Sequence, residues 1–469
     1  MREDRWFDPC GPGGRVRSLL IRCADVPGCG LRDVRAQGDR IAEVAPAIGS
    51  KPGEPVIEAR GRALIPGLHD HHVHLRALDV SLDSVWCGPP QVRDEGALAA
   101  ALAKAPEVGG WVRGIGYHES VAGDLDRDCL DRLCPDRPVR IQHRSAMLWV
   151  VNSKGARLLG LDSASDLPGK ATRQDDRGVP AAAAPLPLIE RDARGRATGR
   201  LWRADAWLKE RLGPTRPTNW GRLGTMLAAL GITGVTDATA RNDLADLEEI
   251  ERAVASGALL QRIHMMGRAA LSNCAAGRVT VGPVKLVLDE AAPPAFEELQ
   301  AAIARAHEAG RPVALHCVTM ATLALALSAI EQAGACRGDR IEHASVASPA
   351  ALETLAKLGL AVVTQPNFVR ERGDEYLREV PAAERGWLYR GRSFLTAGIA
   401  LAAGTDAPLG RPDPWAAMQA ATDRKTLSGA ALGPDEALSP EEALALFTGS
   451  ATNPGGSPRR VAPGEPADL

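Results

Sequence analysis

Short β-rich stretches separated by Gly and Pro open the chain: Ser18-Leu19-Leu20-Ile21-Arg22, Asp39-Arg40-Ile41-Ala42-Glu43-Val44 and Pro55-Val56-Ile57-Glu58. Branched apolar residues between turn formers predict strands, so residues 17–64 are expected to form a small β domain. Eight further β-rich runs follow, at 63–75, 232–237, 262–266, 284–288, 313–317, 340–343, 361–365 and 399–405. Most intervals after the second carry helical periodicity. Over 296–310, Phe296, Leu299 and Ile303 share one face and Gly310 stands as a C-terminal stop. Ser439-Pro440-Glu441-Glu442 predicts another helix start, with a capping Ser, a Pro suited to the first turn and a Glu that completes a capping box. Strands and helices alternating in this number predict an α/β fold whose parallel sheet closes into a (β/α)8 TIM barrel.

The interval between the first and second runs, about 76–225, is far longer than one crossover helix. It predicts an inserted subdomain over the barrel mouth, the expected source of substrate specificity. The final Pro463-Gly464-Glu465-Pro466-Ala467-Asp468-Leu469 reads as the entry to another strand, so a truncated chain is expected, with a natural end left open.

Composition narrows the function classes. The 469 residues are 45% apolar and 24% charged, as in ordinary globular proteins. Net charge is only -2 and the cations are scattered, which leaves no footprint for nucleic acid and points to a small neutral or modestly charged substrate. Apolar runs stay far short of the roughly 20 residues of a membrane span, the nearest being Ala146-Met147-Leu148-Trp149-Val150-Val151. The first residues lack a secretory core, so a cytoplasmic protein is expected. Nine scattered cysteines without a Cys-x-x-Cys pair suit reduced thiols and carry no assigned chemistry. A homodimer and a monomer are both open.

Candidate chemistry begins at Pro66-Gly67-Leu68-His69-Asp70-His71-His72-Val73-His74. Residues two apart on a strand share a face, so His72 and His74 can converge on one metal ion; two structural histidines explain the motif about as well. Lys285, His316, His343 and Asp406 each sit on or at the end of a predicted barrel strand, where barrel enzymes keep their active sites. Each also has a plainer reading: Lys285 snorkelling to solvent, His316 and His343 as hydrogen-bonded core residues, Asp406 as a helix cap. Asp70 is placed either to orient a ligand imidazole or to stabilise a turn. His69 and His71 alternate away from the ligand face and read as structural. Tyr117, His118, His143, Arg144 and Gln365 are candidate substrate contacts, with solvated loop polarity as the alternative.

The set resembles the amidohydrolase superfamily, whose motifs are His-x-His on strand one, Lys on strand four, His on strands five and six, and Asp on strand eight. His72, His74, Lys285, His316, His343 and Asp406 fill all six positions. The N-terminal strands and the Pro463-Gly464 end look like the family's split β-sandwich, which implies a part at 1–64 completed by about 455–469 and a barrel over 65–454. Trp111-Val112-Arg113-Gly114-Ile115-Gly116-Tyr117 and Val151-Asn152-Ser153-Lys154 further resemble the branch of N-substituted formamide deformylases. That branch commonly carries Asp-Gly-His before Val-Asn-Ser, whereas Met147 stands here in place of the His, so its substrate chemistry is not carried over intact.

The resemblance implies a divalent metal, zinc being the expected ion. Burial would depress the Lys285 pKa and leave an amine able to react with carbon dioxide. A carboxylated Lys285 would bridge two ions and an unmodified one would favour a single ion; both remain open. The implied reaction is hydrolysis of an amide-like, non-peptide carbon–nitrogen bond of a small molecule by metal-activated water, with Asp406 as general acid/base. A deaminase on the same barrel is the alternative enzyme, disfavoured because His316-Cys317-Val318-Thr319 has Thr where many such deaminases have Glu. A non-catalytic small-molecule-binding relative is the alternative outside enzymes, and the complete ligand set argues against it.

Overall fold

The computed structural model describes residues 18–162, 188–213, 216–271, 277–290 and 293–469. Eight parallel strands form one sheet in chain order: Leu68–Val73, Ile232–Asp237, Arg262–Gly267, Val279–Val287, Val313–Cys317, Arg340–His343, Ala361–Thr364 and Leu401–Ala403. The last strand meets the first where Asp406 N donates to His72 O at 2.8 Å and His74 N donates to Ala407 O at 2.9 Å, which brings the sheet round into a barrel. Gly404 permits this approach, since a Cβ there would lie 2.4 Å from both Cβ and N of His72.

The strands match the predicted runs with two informative differences. Residues 63–67 belong to the N-terminal sheet and its exit, with Ala63 bridged to Asp25 and Leu64 N donating to Asp25 O at 2.9 Å. The fourth strand begins at Val279, ahead of the predicted 284: Gly282-Pro283 is a local break that the parallel ladder to the third strand passes with a shift of register, pairing Met265 with Val281 and Gly267 with Val284.

Helices cover the barrel's outer face. Helix Phe296–Glu308 buries Leu299, Ile303 and Ala306, and Gly310 follows it with a φ of 71°. Helix Pro440–Thr448 has the expected capping box, with Glu442 N donating to Ser439 Oγ at 3.2 Å and Ser439 N donating to the Glu442 carboxylate at 2.8 Å. Between strands and helices lies an apolar layer that includes Leu315, Ile341, Val362, Leu401, Phe394 and Phe447. Each such side chain contributes roughly 1.5–3 kcal/mol on burial. The strand backbones are thereby held fixed beneath the site.

Strands Arg40–Ala45, Gly30–Gln37, Ser18–Val26 and Val56–Glu58 make a separate sheet in that order. The C-terminal segment runs along its edge: Ile41 N donates to Glu465 O and Ala467 N to Asp39 O, both at 2.8 Å, and Val461 packs on Ile21, Val34 and Ile41. Between the first and second barrel strands lies a further sheet, in the order Leu188–Arg191, Ala197–Trp202, Leu148–Val151, Val139–His143, Trp111–Tyr117, Val85–Trp86, with Glu107–Val108 paired to Trp111–Tyr117. This insert has its own apolar core around Leu98, Leu102, Leu130 and Ile141. Ion pairs tie it to the barrel mouth, Arg203 to Asp289 after the fourth strand and Arg144 to Glu375 after the seventh. Among the described residues the cysteines are unpaired, and no helix is long and apolar enough to cross a membrane.

Candidate metal centre

The C-terminal ends of the barrel strands converge on a buried polar cluster. His72 Nδ1 contacts the Glu342 carboxylate, and His74 Nδ1 lies 3.0 Å from Thr239 Oγ1. Their Nε2 atoms face Asp406 Oδ1, at 3.5 Å from His72 and 3.3 Å from His74. One donor atom from each of His72, His74 and Asp406 lies within 4.8 Å of the other two. Among the described residues Asp406 Oδ1 is buried without a hydrogen-bond partner.

The protonation logic follows from these contacts. Burial, with the Lys285 charge second, lowers the His72 pKa against the pull of Glu342, so the ring is neutral and has one proton. A carboxylate only accepts, so that proton sits on Nδ1 toward Glu342 and leaves a lone pair on Nε2 facing Asp406. Burial opposes ionisation of Asp406, but the adjoining rings of His74, His72 and His343 outweigh it and hold the carboxyl below its usual range. A nitrogen lone pair aimed at an anionic oxygen is repulsive, and a cation between them turns both into donors. The donor set, two imidazoles and a carboxylate, suits a divalent ion such as zinc.

Glu342 is fully buried and binds more than His72. Arg340 Nε donates to it at 2.5 Å, and Lys285 Nζ lies 3.9 Å away without a hydrogen-bond partner among the described residues. Burial pulls the Lys285 pKa down to about 8 although Glu342 opposes the shift. Asp70 accepts from Thr405 Oγ1 at 2.5 Å, Thr405 N at 3.0 Å and His72 N at 3.1 Å, fastening the first strand to the last; burial still pushes its carboxyl up to about 6.

His316 and His343 lie beside the cluster and bond to each other. His343 Nδ1 donates to Gln365 Oε1 at 2.6 Å, so its Nε2 accepts from His316 Nδ1 at 2.8 Å. The His343 ring is centred 4.8 Å from that of His72. His343 has a φ of 71° and Asp406 a φ of 56°, the left-handed region that costs non-glycine residues about 1–3 kcal/mol. Both strands therefore end in strained turns that swing their side chains toward the mouth.

The remaining predicted residues separate. His143 and Arg144 line a cavity of about 130 Å³ between the insert, helix Asn367–Glu379 and the loop after the last barrel strand. Tyr117 does not reach it: this residue sits in the insert core with its hydroxyl donating to Gly123 O at 2.7 Å. Strand alternation in the insert turns that ring inward. His118 caps a short helix, its Nδ1 accepting from Ser120 N at 3.2 Å. Gln365 is buried under His343. His69 is bonded to Thr236 at 2.9 Å, whereas His71 is buried with neither ring nitrogen partnered among the described residues.

Sequence reasoning passed over Glu342, Arg340, Thr239 and Thr405. The signal for two of them was present: in Arg340-Ile341-Glu342-His343 two opposite charges share one face of a four-residue strand, which a barrel interior accepts only as a pair.

Residues 55–469 match the amidohydrolase family. The chain is 27% identical to the N-substituted formamide deformylase of Arthrobacter pascens, over 92% of this chain and 89% of that protein. It is 25% identical to the putative amidohydrolase YtcJ of Bacillus subtilis, over 84% and 80% of the two chains. Its fold resembles the crystal structure of an uncharacterized metal-dependent hydrolase from Pyrococcus horikoshii, with a TM-score of 0.71, 21% identity and 96% of each chain covered.

Proposed function

The chain belongs to the amidohydrolase family, metal-dependent hydrolases of carbon–nitrogen bonds, and from that premise we propose that it hydrolyses an amide-like, non-peptide bond of a small molecule with Asp406 as general acid/base. The observation that carries this reading is the approach of His72 Nε2 and His74 Nε2 to the unpartnered Asp406 Oδ1. We assign His72, His74, Lys285, His316, His343 and Asp406 to the metal centre and zinc as its ion. A bound divalent ion supplies the Lewis acidity that makes water nucleophilic near neutral pH.

The chain's own groups do the rest. Glu342 and Thr239 fix the rings of His72 and His74, and Asp70 holds the strand that bears Asp406 against the first strand. Asp406 takes a proton from the attacking water and delivers it to the departing nitrogen, so the carbon–nitrogen bond breaks as the amine becomes neutral. His316 and His343 serve first as metal ligands, and either ring would only supplement the metal in stabilising charge on the acyl oxygen.

Lys285, lowered to about 8, has an appreciable neutral fraction to react with carbon dioxide. The carbamate would place a second anion beside Glu342, so carboxylation and loading of a second cation are coupled. The relative from Arthrobacter pascens makes an N-alkylformamide the first test compound. Metal per chain is measured on protein prepared with and without bicarbonate, in wild type and Lys285→Ala, together with amine release from that formamide. Wild-type protein that holds no divalent ion removes the reading. Bicarbonate-dependent stoichiometry that disappears in Lys285→Ala supports the carbamate.

A further inference from the structure

The cavity beside Asp406 has more positive charge than its own acids balance. Five arginines line it: Arg113 and Arg144 from the insert, Arg370 and Arg372 from helix Asn367–Glu379, and Arg411 after the last barrel strand. Arg144 is paired with Glu375, and Arg372 lies 3.8 Å over the Phe368 ring and donates to Leu409 O at 2.8 Å. Arg113 donates to Ser84 Oγ at 2.5 Å and stands 5.3 Å over the Trp149 ring. Among the described residues, Arg113, Arg370 and Arg411 make no ion pair within 4 Å, and only the more distant charges of Asp205 on Arg113 and of Glu371 on Arg411 act on them. The one other acid in the lining, Glu371, accepts from Arg411 N at 3.2 Å and Asn367 Nδ2 at 3.4 Å. Burial pushes its carboxyl up to about 7, so near neutral pH it cancels only part of one charge.

An uncompensated guanidinium in a part-buried cavity is costly to the free protein and well suited to an incoming carboxylate, which it binds in a fork geometry. Trp86, Pro89, Pro90, Ile115 and Leu427 give the wall an apolar part, and Gln91, Gln142, His143 and Asn367 add neutral polar groups. The cavity also adjoins the catalytic end of the barrel. Pro408 and Leu409, which closely follow Asp406, line it, and the Asp406 charge acts on Arg372.

We propose that this cavity anchors a carboxylate on the substrate, which makes the substrates N-acylated amines that bear both a carboxylate and an apolar group. Arg113 and Arg370 hold the anion, the apolar group lies on Trp86 and Ile115, and the carbon–nitrogen bond points toward Asp406. The bond broken is the one in the hydrolase reading above, on which this assignment of substrate class rests. Water supplies its oxygen to the acyl carbon and a proton to the departing nitrogen, giving a carboxylic acid and a free amine.

Binding tests the cavity apart from turnover. Calorimetric titration compares 3-phenylpropionate with 3-phenylpropanamide on wild type, Arg113→Gln, Arg113→Lys and Arg370→Gln, with circular dichroism to check each fold. The carboxylate is expected to bind at least tenfold more tightly than the amide, to weaken at least tenfold in either Gln variant, and to be partly restored in Arg113→Lys. In a parallel assay N-formylphenylalanine is expected to exceed N-formyl-2-phenylethylamine at least tenfold in kcat/KM. Equal binding of the two probes, or binding of neither, overturns the anion site even if the neutral formamide is hydrolysed. Carboxylate binding without hydrolysis of either formamide keeps the anion site and removes the hydrolase reading.

Discussion

Glu342 offers the sharpest test of how the fold builds the site. Its carboxylate is buried among Arg340, Lys285 and His72. Glu342→Gln removes the charge and keeps an acceptor for His72 Nδ1, whereas Glu342→Leu removes both. Breaking a buried ion pair from one side costs about 3–5 kcal/mol. Lys285 can escape by releasing its proton, since its pKa of about 8 is already propped up by Glu342. Arg340 cannot, because a guanidinium stays charged. The cost therefore falls near the lower end, about 3 kcal/mol. With an unfolding entropy near 2.1 cal/mol/K per residue, unfolding of the whole chain gives a Tm drop of about 3 °C. Scanning calorimetry on chelator-treated protein reads that number, and zinc titration reads the second effect. Zinc affinity should change little in the Gln variant and fall about 10–100-fold in the Leu variant, whose His72 ring is no longer oriented. A metal-free Glu342→Gln protein that melts with wild type refutes the charge argument, and equal zinc affinities in the two variants refute the role of the acceptor.

Asp406→Asn should lower amine release about 10²–10⁴-fold, more than its loss of metal accounts for; steady-state rates normalised to metal content check this. Gly404→Ala puts a Cβ 2.4 Å from the His72 backbone nitrogen, so the last strand must draw back; a loss of about 1–3 kcal/mol in denaturant melts is expected, with weakened metal binding. For Glu371, burial raises the folded pKa to about 7 from an ordinary 4.5, so its stabilising protonated form is complete below pH 4.5 and is lost as pH rises through 7. Glu371→Gln should therefore match wild type at pH 4.5 and exceed it by up to about 3 kcal/mol at pH 8.5, and parallel stability profiles in urea at the two pH values would contradict this.

Much of the architecture was legible because barrel strands are apolar runs that end in polar residues at the mouth. Val313-Ala314-Leu315-His316 shows this pattern directly. Gly282-Pro283 hid the start of the fourth strand, since local propensity registers Pro as a break and cannot see a ladder to an earlier strand. Candidate ligands were legible for the same reason as the strands. Their supports were not: Thr239 and Thr405 are ordinary hydroxyls until the fold sets them on His74 and Asp70. The cavity was less legible still, because its walls come from segments more than 200 positions apart. Tyr117 was misleading because an aromatic ending a strand looks the same whether its ring turns to the mouth or to the insert core.

His72 links what the fold builds to what the site can bind. It stands between two carboxylates, and a neutral imidazole has one proton to give. Glu342, already stabilised by Arg340 and Lys285, receives that proton through the short contact on Nδ1. Asp406 is left with a lone pair 3.5 Å away and with a backbone in the left-handed region. Folding has thus placed repulsion and strain at one spot, and the barrel's apolar layer outweighs both. A proton on His74 would relieve only part of the repulsion, since the His72 lone pair would still face the carboxylate. A divalent cation relieves all of it at once. The arrangement of Glu342 and Asp406 on either side of His72 therefore favours a divalent cation over a proton at this spot.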